Sequence, residues 1–328
     1  MLSRVGTVTS QLGTRTLGRS GLEVSVLGLG CNQIGRTVDR DGTRALIDEC
    51  EAAGVNLLDT ADTYGEAGSS EEFLGDAFAG ARRERFLVAT KFGMELSGIP
   101  GVPEAPRGSR EYIRWAVEGS LRRLQTDHID LYQYHRPDGV TPLEETLGAM
   151  NELIGEGRVR FIGCSNFGAE QVDDAARIAE ENGWAGFAGL QNEYSLLDRA
   201  LEADVAPACE RHGLGILPYF PLARGLLTGK YRRGEGAPEG ARLSGRDEVA
   251  DARTFDVLEA LERYAEERDA SMLEVAIGGL AAQTAVASVI AGARRPDQIA
   301  GNARAARWVP NADDLRALDE IVPPGRPA

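Results

Sequence analysis

The chain has 328 residues, 42% of them hydrophobic, and a net charge of −15. That is enough apolar material for one large domain or two modest ones, and an acidic surface repels phosphate backbones, so no nucleic-acid partner is expected. No apolar run approaches the ~20 residues that cross a bilayer, and Met1 to Gln11 lacks the apolar centre of a secretory signal.

Four scattered cysteines (Cys31, Cys50, Cys164, Cys209) and three histidines offer no metal-ligand spacing. A cytoplasmic protein with reduced thiols, no metal and no membrane partner is the expectation. One compositional fact is sharper. Of 36 basic residues only Lys91 and Lys230 are lysines. A lysine ammonium is compact and its pKa responds to its surroundings. Both become candidates for chemistry; chance retention is the plain alternative.

In chain order, residues 1–13 read as a flexible leader. Thr14 to Ser25 reads as a hairpin turning at Arg19-Ser20-Gly21. Val24 to Gly30 is a buried strand. Its Gly28-Leu29-Gly30 resembles the start of a dinucleotide fingerprint, but the third glycine would fall at Gln33. Glycines that let a ligand approach the backbone fit equally well. A helix from Asp41 to about Ala53 carries Leu46, Ile47 and Cys50 on one face. A second strand runs from Val55 into Asp59. Ser69-Ser70-Glu71-Glu72 predicts a capped helix start. Phe86 to Lys91 is the third strand. A Gly/Pro-rich loop from Gly93 to Gly108 leads to a helix over Arg110 to Leu124. Ile129 to His135 is the fourth strand and Pro142 to Ile154 the fourth helix.

The second half keeps the rhythm. Strands are expected at Val159 to Asn166, Gly189 to Tyr194 and Leu214 to Pro221, with helices at Ala169 to Asn182 and Leu201 to His212, the latter blurred by Pro207. After a long loop from Leu222 to Ala250 come helices at Thr254 to Arg268 and Leu273 to Gln283. A last strand at Val286 to Ala291 precedes helices at Pro296 to Arg307 and Asp313 to Ile321, and a tail from 323. Eight strand–helix alternations without a linker predict one α/β domain over 14–322, a (β/α)8 TIM barrel rather than an open doubly wound sheet.

In such a barrel all strands present their C-terminal ends on one face. Asp59, Tyr64, Lys91 and His135 follow strands two, three and four, so they converge on one rim. An ammonium beside a phenol stabilises the phenolate and lowers its pKa, ordinarily ~10. A carboxylate keeps the ammonium charged, and a histidine can bond a substrate oxygen or relay a proton. The set can protonate a carbonyl oxygen while another group delivers hydride. Each residue has a plainer reading. Asp59 could cap a turn, with Asp62 a rival carboxylate. Tyr132 and Tyr134 are rival phenols, one of which alternation points out of the barrel. Lys91 could be a surface lysine, and His135 a structural one. Their fall at consecutive strand ends favours the joint reading, with Asp62 a loop or capping residue.

The segments Leu58-Asp59-Thr60-Ala61 with Tyr64, Ala89-Thr90-Lys91 and Leu131-Tyr132-Gln133-Tyr134-His135-Arg136-Pro137-Asp138 resemble the signatures of the aldo-keto reductases. The resemblance continues through Gly163-Cys164-Ser165-Asn166-Phe167, Gln191-Asn192-Glu193-Tyr194, Pro218-Tyr219-Phe220-Pro221-Leu222 and Gly225 to Tyr231, and ends at Gly292 to Gln298. It is similar to the branch that holds bacterial reductases and potassium-channel β subunits.

The resemblance implies Tyr64 as general acid, Lys91 and Asp59 as the groups that tune it, and His135 as the orienter of the substrate carbonyl. It implies NADPH along the rim. Ser165, Asn166 and Gln191 would hold the nicotinamide carboxamide and Tyr219 its ring. Phe220, Pro221, Leu222, Gly225 and Lys230 would lie along the pyrophosphate, and Arg242, Arg294, Gln298 and Asn302 at the adenosine end. Gly30, Cys31, Asn32 and Gly292, at the first and last strand ends, complete the set.

Independently, a helix opening at Pro296 offers N–H groups and a dipole to an anion, and Arg294 with Arg295 makes a positive spot suited to a 2′-phosphate. One departure is Gly301, where the family often carries an acid for the adenine amino group. The expected function is NADPH-dependent reduction of aldehydes or ketones. A nucleotide-binding regulatory subunit is the runner-up. A Schiff-base aldolase using Lys91 would leave the nicotinamide positions without a use.

Overall fold

The computed structural model describes residues 7–78, 80–96, 101–244 and 249–325. Eight strands form one parallel sheet. They are β1 Leu27–Gly30, β2 Leu57–Asp59, β3 Leu87–Phe92, β4 Ile129–Tyr134, β5 Val159–Ser165, β6 Gly189–Gln191, β7 Gly215–Ile216 and β8 Val289–Gly292. Neighbours follow chain order from β1 to β7, and β8 pairs with β1. The ring closes between β7 and β8. Ile216 N donates to Ala285 O (2.7 Å), Ala287 N to Ile216 O (2.9 Å) and Ile290 N to Pro218 O (2.9 Å). The fold is the expected (β/α)8 barrel.

Outside it lie α1 Arg40–Ala53, α2 Ser69–Ala77, α3 Arg110–Leu124, α4 Leu143–Gly155, α5 Ala169–Asn182 and α6 Val205–His212. After β7 come α7 Ala252–Glu266 and α8 Met272–Ala281, and after β8 come α9 Pro296–Ala305 and α10 Ala312–Ile321. No described helix is long and apolar enough to cross a membrane. Pro207 falls in the first turn of α6, where a missing N–H costs nothing. The serines before α2 do not cap it. Its N-cap is Gly68, while Ser69 Oγ accepts from Glu66 N and Ser70 Oγ joins Thr60 and the carbonyl of Cys31.

The strand read as Val24 to Gly30 is two elements. Glu23–Ser25 pairs with Thr14–Thr16 as a hairpin, and β1 starts at Leu27. Within the segment read as a leader, Thr7–Val8 pairs antiparallel with Trp308–Val309; residues 1–6 lie outside the described residues. The hairpin plugs one end of the barrel. Its Leu17, Leu22 and Val24 pack with Leu57, Ala89 and Leu131. A Cβ on Gly215 would stand 2.7 Å from Leu17 Cδ1, so the plug is seated where β7 has no side chain.

Strand side chains alternate between the two faces. Leu57, Ala89 and Leu131 face inward, so Asp59, Lys91 and Gln133, two residues on, face inward one layer higher. The barrel interior thus changes from an apolar layer to a polar one within a single pleat, at the C-terminal rim. The odd-face residues Leu58, Val88, Tyr132, Ile162 and Cys164 pack outward against the helices.

Candidate active site

The polar layer is a closed hydrogen-bond set. Lys91 is fully buried. Its Nζ donates to Asp59 Oδ2 (2.7 Å), the carbonyl of Thr60 (2.8 Å) and Tyr64 OH (3.3 Å). Asp59 Oδ1 accepts from Gln191 Nε2 (2.8 Å) and Gln133 Nε2 (3.3 Å). Ser165 Oγ donates to the Gln191 carbonyl, which fixes β5 against β6 at this height. The Tyr64 ring also lies 4.7 Å from the ammonium and meets the His135 ring edge-on at 5.9 Å.

Electrostatics follow from burial. Burial lowers the Lys91 pKa, but the attraction of Asp59 and then Tyr64 outweighs it, and the ammonium is held above its ordinary value. Tyr64 is raised, by burial first; Lys91 opposes that and Asp59 adds to it. The ammonium alone would lower the phenol, as the sequence suggests, but burial outweighs it. His135 is pushed down to about 3 by burial, then by Lys91 and Arg136, so the imidazole is neutral at physiological pH. Its Nδ1 is buried without a described partner.

A cavity of about 580 Å³ opens over this layer. Of the four residues read as catalytic, Asp59, Tyr64 and His135 line it, and Lys91 sits directly behind. From the first and last strands, Gly30, Asn32 and Gly292 line it. Ser165, Asn166, Gln191, Tyr219, Phe220, Pro221, Leu222 and Gly225 form one wall. Lys230, Arg242, Arg294 and Gln298 stand at the far end. Cys31 and Asn302 are not in the wall; they are buried, and the Cys31 thiol is pushed well up by burial. All four cysteines are free and buried.

Asn166 is held at φ 60, in the left-handed region. Its amide donates to the His135 carbonyl (2.9 Å) and accepts from Tyr219 OH (2.8 Å), which ties the ends of β4, β5 and β7 together. Phe220, Ala223 and Arg224 are also left-handed, at φ 53, 45 and 58. Strain of this kind clusters at ligand-holding loops. The far end is cationic, and among the described residues no carboxylate pairs with Arg224, Lys230, Arg242 or Arg294. The Lys230 pKa is lowered by burial, then by Arg294 and Arg295, and the Arg242 pKa by burial, then by Arg224 and Arg294. Arg224 and Arg242 both stand over the Phe220 ring, at 5.4 and 4.7 Å. Arg295 contributes less freely to this spot, because it also pairs with Asp297. The start of α9 is partly spoken for as well, since Gln298 Oε1 accepts from Arg294 N (2.7 Å) and Arg295 N (3.2 Å).

Two expectations change here. Asp62 lies in the turn after β2, so it is a loop residue as expected, but it caps no helix. It is fully buried, both its oxygens lack a described partner, and its pKa is pushed well up by burial and then by Glu71. Tyr132 and Tyr134 share parity, so both point out of the barrel, and Gln133 between them points in. Sequence reasoning also passed over Gln33, Met94, Arg136, Arg224 and Thr228, which line the cavity. Gln133 was legible from strand alternation; the loop residues carried no such signal.

The chain matches the family described as "Aldo/keto reductase family" over residues 26–323. It belongs to the aldo/keto reductase family. It is 36% identical to "Uncharacterized oxidoreductase YrpG" of Bacillus subtilis (strain 168), over 94% of this chain and 95% of that one. It is 36% identical to a "Probable voltage-gated potassium channel subunit beta" of Oryza sativa subsp. japonica, over 90% and 92%. It is 33% identical to "Aldo-keto reductase YhdN" of Bacillus subtilis (strain 168), over 92% and 91%. The aldo/keto reductase signatures and the polar layer coincide, since Asp59, Lys91 and Gln191 sit in three of the quoted segments and bond one another here.

Proposed function

We propose that the chain is an NADPH-dependent carbonyl reductase that converts aldehydes or ketones to alcohols. The observation that carries this is the Lys91 hub. One buried ammonium bonds both a carboxylate at 2.7 Å and a phenol at 3.3 Å on the cavity wall. In that arrangement Tyr64 OH accepts from Lys91, which leaves its own hydrogen free to be given to a substrate oxygen. The raised pKa keeps that hydrogen in place at neutral pH, and Lys91 stabilises the phenolate that remains after transfer. Asp59 keeps Lys91 charged, while Gln191 and Gln133 hold Asp59. Neutral His135 is at hand to bond the same substrate oxygen.

The residues present fit a nicotinamide dinucleotide phosphate. The cavity runs from Tyr64 to four cations, Arg224, Lys230, Arg242 and Arg294, that no described carboxylate neutralises. Tyr219, braced by Asn166, offers a ring for stacking. Lys230 and Arg242 would take phosphate charge, with Arg294 for the 2′-phosphate. Bound there, the cofactor would supply a hydride for the carbonyl carbon; Tyr64 would give the proton to the oxygen, and its phenolate would be reprotonated from solvent.

The test mixes the protein with NADPH and 4-nitrobenzaldehyde and follows nicotinamide absorbance, with Tyr64→Phe as control. Turnover that Tyr64→Phe leaves intact defeats the general-acid assignment. NADPH binding without turnover of any carbonyl favours the second reading, a regulatory subunit, which the similarity to a potassium-channel β subunit supports.

A further inference from the structure

We infer that the carbonyl substrate carries an oxyanion, a carboxylate or a phosphate, and that Arg136 receives it; this rests on the reductase reading above. The cavity wall divides by strand. Everything from β5 onward belongs to the wall assigned to the cofactor. The loops after β1, β3 and β4 supply Gln33, Met94 and Arg136 beside Tyr64 and His135. Among these three only Arg136 is charged, and it directly follows His135. It lines the cavity directly after His135, and its charge acts on His135 and Tyr219 at the reacting end.

No described residue gives the Arg136 side chain a hydrogen bond or an ion pair. The chain does not lack carboxylates for the purpose. Arginines elsewhere are paired with them repeatedly, as Arg83 is with Asp130, Arg123 with Glu71 and Arg199 with Glu202. Glu193 also acts on Tyr219, yet it is not within ion-pair distance of Arg136. An exposed guanidinium kept free on the wall of an active-site cavity presents a planar fork of N–H donors to carboxylate or phosphate oxygens. Gln33, itself bonded by Thr37 Oγ1 (3.1 Å), adds a second polar side chain to this part of the wall.

The experiment uses the whole chain with saturating NADPH, so that the far-end cations are occupied. It compares kcat/KM for 4-formylbenzoate against its methyl ester, and for glyceraldehyde 3-phosphate against glyceraldehyde. Expected is a preference for the charged member of at least one pair. Arg136→Gln should cut that preference roughly 10- to 100-fold, mainly through KM, the range of a charge-assisted hydrogen bond. Arg136→Lys should restore part of it. The pair that responds names the oxyanion. Benzoate and inorganic phosphate, titrated by calorimetry into the NADP+ complex of parent and Arg136→Gln, give the same comparison without turnover. A parent indifferent to charge in both pairs, or a preference that survives in Arg136→Gln, overturns the inference and leaves the reductase reading standing. Reduction of none of the four compounds overturns both.

Discussion

Replacing Lys91 by methionine tests whether the polar layer is one coupled unit. The Nζ–Oδ2 separation of 2.7 Å corresponds to an attraction of about 6 kcal/mol at an effective dielectric constant of ~20. Burying the two charges costs several kcal/mol per ion, so the pair as a whole contributes little while loss of one partner is severe. Lys91→Met leaves the Asp59 carboxylate inside the barrel with only the amides of Gln191 and Gln133. That stranded charge costs about 3–5 kcal/mol. Asp59→Asn strands the ammonium instead, with only the Thr60 carbonyl and Tyr64 OH to hold it, at a similar cost. The double variant removes both charges from the same layer, so the losses do not add. About 2–3 kcal/mol of their sum should be recovered. Denaturant unfolding of the cofactor-free proteins, followed by circular dichroism and tryptophan fluorescence, measures this if the two probes coincide. Additivity to within about 0.5 kcal/mol would show that the charges are not coupled and that the hub is a geometric coincidence.

The pH profile of kcat/KM for reduction should be flat from pH 6 to about 9 and fall only above the ordinary phenol value of ~10. The reason is that Tyr64 is raised, and so keeps its proton until higher pH, while His135, held at about 3, is neutral throughout; a limb near pH 6.5 that disappears in His135→Gln refutes this. Asp62→Asn should raise the melting temperature more at pH 8.5 than at pH 5.5. With its folded pKa raised above the unfolded ~3.9, Asp62 contributes stability below the unfolded value that is lost as pH rises toward the folded one, and the amide has no proton to lose; an equal or opposite shift at the two pH values contradicts it. Arg294→Ala should weaken NADPH binding at least tenfold and NADH binding far less, read by quenching of tryptophan fluorescence. Equal losses exclude the 2′-phosphate assignment.

The barrel was legible because its strands are short apolar runs at a regular spacing, and because polar residues begin abruptly at Asp59, Lys91 and His135. What the sequence did not settle was which of Asp59 and Asp62 meets Lys91. Asp59 and Asp62 are three residues apart and chemically alike. Only the pleat sends Asp59 inward to Lys91, while Asp62 ends behind the strand near Glu71, with no described partner. The same blindness made Tyr132 and Tyr134 look like rivals of Tyr64, although strand alternation puts both on the outer face. Loop residues were hidden for another reason. Arg136, Arg224 and Met94 reach the cavity through backbone turns that no periodicity encodes. The sign of the Tyr64 shift was missed because burial, which has no sequence signature, exceeds the effect of the neighbouring ammonium.

The scarcity of lysine acquires a physical reason at Lys91. A buried donor must find an acceptor for each of its hydrogens, or lose about 1–3 kcal/mol per orphan. An ammonium has three N–H groups, and the site offers three acceptors, Asp59 Oδ2, the Thr60 carbonyl and Tyr64 OH. A guanidinium brings five in a rigid plane, so arginine would leave two unsatisfied in a position with no exposure to water, besides needing more volume. The stoichiometry also agrees with the role proposed for Tyr64. Because its oxygen serves as the third acceptor, its hydrogen is not consumed within the layer and is available at the cavity. Several arginines elsewhere in the chain form surface ion pairs, as Arg110, Arg114 and Arg177 do, where water can complete the fork of donors. At Lys91 no water completes it. Lys230 has no such count, only an exposed ammonium 5.3 Å from the Tyr231 ring, so the argument that explains one lysine does not extend to the other.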